Sequence, residues 1–269
     1  MVFLLWLLCV FCAFCEKKNP SVPSLCLSVL SVRKIFPLSL VYRFTTSASK
    51  MLTTLKNLLT ERSTNALITF VTENPGVLDT IDENGTSGFM LLAYSGVPEV
   101  FSKATEIKKS FTFHEAIAGG RIDEVRKQVS EDATRVNQHS PDGFTPLSLA
   151  AFFGHEDIAR LLLESGANPG VHATNPTRVN ALHSAVAREN IALCKLFIEN
   201  GVDVNAPQMQ NVTALHSAAH RGNLELVKLL VENGADISIG MENGDTALIL
   251  AEKDGHAEVV DFLRGRISN

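Results

Sequence analysis

Cysteine is scarce in most of this sequence. After residue 26 the chain contains one cysteine, Cys194. A single thiol cannot form an internal disulfide, so folding of this part of the chain does not depend on an oxidising compartment. Cys194 lies in a helical pattern with Leu193, Leu196 and Phe197, which indicates a small buried apolar residue rather than a reactive thiol.

Positive charge is also sparse after the first fifty residues. The whole sequence contains 24 Lys and Arg against 29 Asp and Glu, and residues 1–50 hold six of these bases and one of these acids. Residues 51–269 therefore carry 18 bases and 28 acids. Because binding to a phosphate backbone needs clustered Lys and Arg, this balance argues against a nucleic-acid partner.

Motifs that carry catalysis are missing as well. The sequence has no Gly-rich phosphate-binding loop and no Gly-x-Ser-x-Gly elbow, and it has no Cys-x-x-Cys pair after residue 26. The histidines His216 and His220 are four residues apart, but no third zinc ligand is placed by the sequence. We expect no enzyme, no cofactor and no metal site; an enzyme or small-molecule binder is the minor alternative.

The first fifty residues are a different kind of sequence. Residues 1–15 are almost wholly apolar, which suits a signal-peptide core better than a bilayer span of about 20 residues. Cys15 weakly resembles a lipoprotein attachment site, and residues 17–60 lack acids, as transit peptides do. The alternatives are a cytoplasmic protein that starts at Met51, export or membrane anchoring through residues 1–15, and organellar targeting. In each case we expect residues 1–50 to lie outside the folded core.

A pattern of about 33 residues recurs through the rest of the chain. It contains the segment DGFTPLSLAA or a variant of it, at residues 142–151, 179–185, 211–219 and 243–251. The anchor residues of these segments are spaced by 35, 33 and 33 positions: Thr145, Asn180, Thr213 and Thr246. A second block, GHEDIARLLLESGAN in one copy and GNLELVKLLVENGAD in another, follows the anchor. Internal repetition at this period predicts a stack of similar units.

Each repeat carries two short helical patterns. The first keeps small residues, such as Ala150 and Ala151, where neighbouring helices approach closely. The second is an amphipathic stripe such as Leu226, Leu229 and Leu230. One such unit cannot bury its apolar face alone, whereas a stack of units can.

These motifs resemble the ankyrin repeat, whose signature is Thr-Pro-Leu-His-x-Ala-Ala, then Gly-His, then a Leu-rich helix that ends in Gly-Ala-Asp. The resemblance is strong over residues 141–266, weaker over 111–140 and degenerate over 82–109, with 52–81 as an N-terminal cap. It implies an all-α solenoid of stacked helix–turn–helix units with short hairpin-like loops. The implied division is a segment outside the core at 1–50, a divergent unit and cap at 51–110, and repeats with a C-terminal cap at 111–269.

The resemblance also implies a protein-binding surface, because ankyrin repeats bind partners through a concave face and the hairpin tips. On the concave face the ends of the first helices form a row, which we call the first-helix row: Tyr94, Phe152, Phe153, Arg188, His220 and Arg221. At the hairpin tips the candidates are Arg178, Met209, Gln210 and Met241. Aromatic residues beside arginine are typical of an interaction hot spot. In a competing interpretation, Phe152 or Phe153 only fills a gap between repeats.

The partner expected from this sequence is a protein whose identity the repeats leave open. We predict a protein–protein interaction module, and the alternative is a non-catalytic adaptor or inhibitory subunit of a larger complex. We expect no nucleic acid partner, and membrane contact only if residues 1–15 act as an anchor. The sequence gives no basis for a homo-oligomer.

Overall fold

The computed structural model describes residues 38–267, with side chains from residue 49 onward, so the expectations for residues 1–37 lie outside it. Within this range the chain forms fourteen α-helices and no strand. The helices are α1 (Leu38–Glu61), α2 (Thr64–Glu73), α3 (Gly88–Tyr94), α4 (Pro98–Ile107), α5 (Phe113–Ala118), α6 (Ile122–Glu131), α7 (Pro146–Phe153), α8 (Glu156–Glu164), α9 (Ala181–Ala187), α10 (Ile191–Glu199), α11 (Ala214–His220), α12 (Leu224–Glu232), α13 (Ala247–Lys253) and α14 (Ala257–Ile267). Short 3-10 turns cover Pro75–Asp79, Ala133–Asn137 and Met209–Asn211.

The helices stack in pairs along one direction. After the N-terminal pair α1 and α2, six pairs follow, which we number units 1 to 6 from α3 and α4 to α13 and α14. From α3 to α13, each first helix packs against the first helix of the next unit. The second helices from α6 to α14 form a second layer in the same way. The all-α solenoid predicted from the repeats is therefore confirmed.

The core is a continuous apolar seam that runs through all the units. In the first helices, Ala150 and Ala151 are fully buried, and their small side chains let neighbouring helices approach. In α12 the buried stripe consists of Leu226, Val227 and Leu230, while Leu229 is half-buried. Burial of this kind contributes roughly 25 cal/mol per Å² of apolar surface, and here most of it is shared between units rather than contained within one.

The anchor residues of the sequence repeat are helix N-caps. Thr145 Oγ1 accepts a hydrogen bond from the Ser148 backbone N–H at 3.1 Å. In unit 4, Asn180 Oδ1 accepts from the His183 N–H, and the His183 ring Nδ1 accepts from the Asn180 N–H at 3.2 Å. Such a cap satisfies N–H groups that the first turn of a helix leaves unpaired, and each is worth about 1 kcal/mol. The period of the anchors thus records where each first helix begins.

Histidine rings tie neighbouring units together at the ends of the first helices. His155 Nε2 in unit 3 donates to the Ala118 carbonyl of unit 2 at 3.1 Å. His256 Nε2 in unit 6 donates to the His220 carbonyl of unit 5 at 2.9 Å. The ring of His256 lies against Gly222, whose φ is +68° and whose missing Cβ leaves room for it.

A buried ion-pair cluster joins the N-terminal pair to units 1 and 2. The Lys108 side chain is 2% exposed, contacts the Asp79 carboxylate, and has its Nζ 3.4 Å from Glu115 Oε1. The Ser87 hydroxyl donates to the same Glu115 oxygen at 2.6 Å. Each buried charge is therefore met by opposite charge or by a hydrogen bond.

The N-terminal boundary expected at Met51 lies inside a helix. Helix α1 runs from Leu38 to Glu61 and packs against α3, the first helix of unit 1. The division of the chain at residues 50 and 110 stays a prediction. In the part of the chain that the structure describes, none of the helices combines the length and apolar character needed to cross a bilayer.

Candidate protein-binding surface

An aromatic cluster lies at the seam between units 1 and 3. The Tyr94 ring stacks on Phe153 with 5.8 Å between centroids and meets the Phe152 ring edge-on at 6.2 Å. Two residues that sequence reasoning missed complete it: Phe101 stacks on Phe153 at 6.2 Å, and Phe144 lies 6.2 Å from Tyr94. Ring contacts of this kind add about 0.5–1.5 kcal/mol each to simple burial, which fixes the cluster in place.

The two adjacent phenylalanines have different environments. Phe153 is half-buried among Tyr94, Phe101 and the His155 ring, so it fills the gap between units. Phe152 is more open, with 37% of its surface exposed. Gap filling between units therefore describes the packing of Phe153, whereas Phe152 keeps part of its apolar surface exposed.

Tyr94 is held by its hydroxyl as well as its ring. The hydroxyl donates to Asp142 Oδ2 at 2.8 Å, across from unit 1 to the hairpin of unit 3. Burial and the neighbouring Asp142 carboxylate both raise the pKa of Tyr94 far above its ordinary value, so the phenol stays protonated. The Tyr94–Asp142 hydrogen bond thus helps to hold the aromatic cluster in place. Sequence reasoning did not identify Asp142 as the partner of Tyr94.

One basic residue of the first-helix row lies beside Phe152, and the other two lie beside carboxylates. The guanidinium carbon of Arg188 is 5.7 Å from the centroid of the Phe152 ring. Arg221 Nη1 lies 3.9 Å from Glu189 Oε1, and His220 Nδ1 lies 2.6 Å from Asp254 Oδ2. These contacts join neighbouring units along the first helices, and the use of the first-helix row by a partner stays a prediction.

The four tip residues lie on consecutive hairpins that are bonded to each other. The Met209 N–H donates to the Thr177 carbonyl at 3.0 Å, and the Glu242 N–H donates to the Gln210 carbonyl at 3.0 Å. The Met209 side chain is 49% exposed, and Arg178 and Gln210 are exposed as well, while Met241 is half-buried. These backbone bonds hold neighbouring hairpin tips together at a fixed spacing.

The buried histidines of the units are structural. Burial, together with the nearby His172, lowers the pKa of His183 to about 4, although hydrogen bonding to the backbone at Ala206 and Val212 acts in the opposite direction. Burial also lowers the pKa of His216. A neutral imidazole in the N-cap arrangement can accept the backbone N–H, which a protonated ring could not do.

Other groups with potential chemistry are similarly enclosed. Burial raises the pKa of the Cys194 thiol to about 12, so its reactive thiolate is scarce at neutral pH. Among the side chains that the structure describes, no three His, Cys, Asp or Glu residues are placed to hold one metal ion.

Stacked helix pairs joined by short hairpin loops define a helical repeat solenoid. The chain belongs to the ankyrin-repeat family: the family model for ankyrin repeats matches it in three overlapping copies, over residues 47–173, 113–208 and 182–268. Members of this family are generally non-catalytic modules for protein–protein interaction.

Individual relatives match shorter segments. Ankyrin repeat domain-containing protein 49 of Drosophila melanogaster is 46% identical over 54 residues, which cover 20% of this chain and 25% of that protein. The human protein of the same name is 47% identical over 53 residues, or 20% of this chain and 21% of the relative. The human DNA-binding protein RFXANK is 36% identical over 64 residues, or 24% of this chain and 25% of the relative. The matches thus span about a quarter of these curated relatives at most.

Proposed function

We propose that this chain is a protein-binding module whose partner lies across the first-helix row and the hairpin tips. The observation that carries the proposal is the exposed Phe152 ring with the Arg188 guanidinium 5.7 Å from its centroid. Aromatic residues and arginine dominate binding energy in protein interfaces when they meet at a well-packed centre.

The scaffold beneath the row supports this assignment. Phe152 rests on Tyr94 and Phe153, which are themselves fixed by ring stacking and by the Tyr94–Asp142 hydrogen bond. A side chain held in this way loses little conformational entropy on binding, and each side chain that must be ordered costs about 0.5–1.5 kcal/mol. Preorganisation of this kind favours recognition of one surface over non-specific contact.

A nucleic-acid function has weaker support. The relative RFXANK is named as a DNA-binding protein, and it matches 24% of this chain. Two basic residues of the row are already paired with carboxylates: Arg221 lies near Glu189, and His220 lies near Asp254. With 18 bases against 28 acids after residue 50, the chain lacks the positive field that phosphate binding requires.

The test uses a display library of natural protein fragments, selected on the wild-type protein. In the row variant, Phe152→Ala, Arg188→Ala and Arg221→Ala are combined, and Phe153 is left in place because it packs between units. The control variant combines changes on the second helices: Arg126→Ala, Arg160→Ala and Lys195→Ala, all exposed. Circular dichroism and thermal unfolding establish that both variants are folded.

Fragments selected on the wild type should lose at least tenfold in affinity for the row variant, about 1.4 kcal/mol, and keep their affinity for the control. Equal affinity for the row variant would show that the partner binds elsewhere. A fragment that co-elutes with the protein at fixed stoichiometry would assign the chain as an adaptor or inhibitory subunit, while a rapidly exchanging one would assign a transient recognition module.

A further inference from the structure

The charges along the first helices differ in whether they already have a partner. Lys253 Nζ lies 2.8 and 2.7 Å from the two carboxylate oxygens of Asp245, and His220 is paired with Asp254 at 2.6 Å. Arg221 has Glu189 at 3.9 Å. Arg188 differs from all of these, because no carboxylate among the described residues lies within 4 Å of its guanidinium.

The carboxylate of the next residue, Glu189, interacts with the neighbouring unit and not with Arg188. Glu189 Oε2 accepts a hydrogen bond from Asn223 Nδ2 of the next unit at 2.7 Å, and its other oxygen is the one near Arg221. The backbone of Glu189 has a φ of +53°, an uncommon conformation for a residue with a side chain. Glu189 thus stabilises the contact between units 4 and 5 and leaves the positive charge of Arg188 uncompensated.

The position of Arg188 over an aromatic ring leaves its hydrogen-bonding groups available. A cation over a ring is attracted by its charge, and this attraction does not use its N–H groups as hydrogen-bond donors to an oxygen acceptor. A carboxylate can meet two of these donors at once, in a geometry that lysine cannot reproduce. Beside it, Phe152 is 37% exposed and offers apolar surface. The site therefore combines an apolar contact with an unpaired cation.

We propose, on the basis of the proposed function, that the partner presents an acidic segment with an aromatic or large aliphatic anchor. The anchor packs on Phe152, and a carboxylate close to it in the sequence forms a bidentate pair with Arg188. Charge complementarity decides against a basic segment at this place, even though the chain as a whole is acidic, because screening confines exposed charges to a range of about 8 Å at physiological salt.

A random twelve-residue peptide library tests this chemistry directly. It is selected in parallel, at 0.15 M salt, on the wild type, on Arg188→Glu and on the control Arg160→Glu, an exposed arginine of the second-helix layer. Peptides from the wild type and the control should be enriched in Asp or Glu next to an aromatic or aliphatic residue. Peptides from Arg188→Glu should be enriched in Lys or Arg instead.

Individual peptides then give the magnitude. An acidic peptide from the wild-type selection should bind Arg188→Glu at least tenfold more weakly than it binds the wild type. A version of the peptide with Asn for each Asp and Gln for each Glu should bind the wild type at least tenfold more weakly than the acidic peptide does. A pool that is basic, that lacks any charge preference, or that does not change with Arg188→Glu overturns the inference. If the natural fragments are still lost on the row variant, the proposed function stands and only the acidic partner is wrong.

Discussion

Replacing Gly222 by alanine tests how neighbouring units are locked together. A Cβ at this position would lie 2.3 Å from Nδ1 and 2.6 Å from Cγ of His256, well inside contact distance. The backbone there has a φ of +68°. Gly154 is the matched control, because it occupies the same place in unit 3, has a φ of +78°, and has nothing within 4 Å of an added Cβ.

The two substitutions share one cost and differ in another. Both place alanine in the left-handed region at about 1–2 kcal/mol, partly offset by the lower entropy of the unfolded chain. Gly222→Ala must in addition displace the His256 ring, which breaks its hydrogen bond to the His220 carbonyl. A lost hydrogen bond and lost packing together cost about 1–2 kcal/mol. We therefore expect Gly222→Ala to be about 1–2 kcal/mol more destabilising than Gly154→Ala.

Urea unfolding followed by circular dichroism measures the difference, and hydrogen exchange shows where it acts. Because contacts in a solenoid are local, the extra loss should appear first as reduced protection of α13 and α14. In the His256→Ala background the steric term is gone, so Gly222→Ala should cost no more than Gly154→Ala. Equal costs for the two glycines in the wild-type background would show that the histidine does not lock unit 6 to unit 5.

Three further predictions concern the buried groups. His183 has a pKa of about 4 in the folded protein, against an ordinary value of 6.5, so between these pH values the unfolded state binds more protons than the folded state. The free energy of unfolding measured by urea titration should therefore be highest above pH 6.5 and fall by about 3 kcal/mol as the pH drops to 4. The variant His183→Gln should show a smaller fall. Phe153→Ala should lower the free energy of unfolding by about 3–5 kcal/mol and Phe152→Ala by about 1–2 kcal/mol; equal losses would contradict the different roles of the two rings. Lys108→Ala should cost about 3 kcal/mol because it strands a buried carboxylate, against less than about 0.5 kcal/mol for the exposed neighbour in Lys109→Ala.

The repeat register could be predicted from the sequence because each anchor residue acts within its own helix, as its N-cap. Thr145 caps the first helix of unit 3, and Ala150 is small because two first helices meet there. The same requirements apply at the equivalent positions of the other units, so similar residues recur at the period of the fold. Contacts between units carry no such signal. Nothing in the spacing of Phe101 and Phe144 shows that Phe101 of unit 1 reaches Phe153, or that Phe144 of unit 3 reaches Tyr94. The separate roles of Phe152 and Phe153 likewise depend on the neighbouring units, so pattern alone left them equivalent.

One departure from the repeat lies at a hairpin tip. At the hairpin tips the residue in the left-handed conformation is glycine in units 1, 3 and 6, namely Gly85, Gly143 and Gly244. In unit 4 that place is taken by Arg178, with a φ of +53°. Its N–H donates to the Asn175 carbonyl at 3.1 Å, as the Gly143 N–H does to Ser140 at 2.8 Å, so the turn is the same. Glycine would therefore form this turn as well as arginine does, and arginine in the left-handed conformation costs about 1 kcal/mol of backbone strain.

Backbone strain that the turn does not require motivates the hypothesis that the Arg178 side chain acts outside the fold. We expect Arg178→Gly to leave the protein at least as stable, with a gain of up to about 0.5 kcal/mol after the entropy of the unfolded chain is counted, and to weaken binding of partner fragments several-fold. Arg178→Lys should retain the strain and part of the binding. Calorimetric unfolding and fragment titration of the two variants separate these effects. A loss of stability in Arg178→Gly without a loss of binding would place the value of Arg178 in the fold, and would remove it from the binding surface.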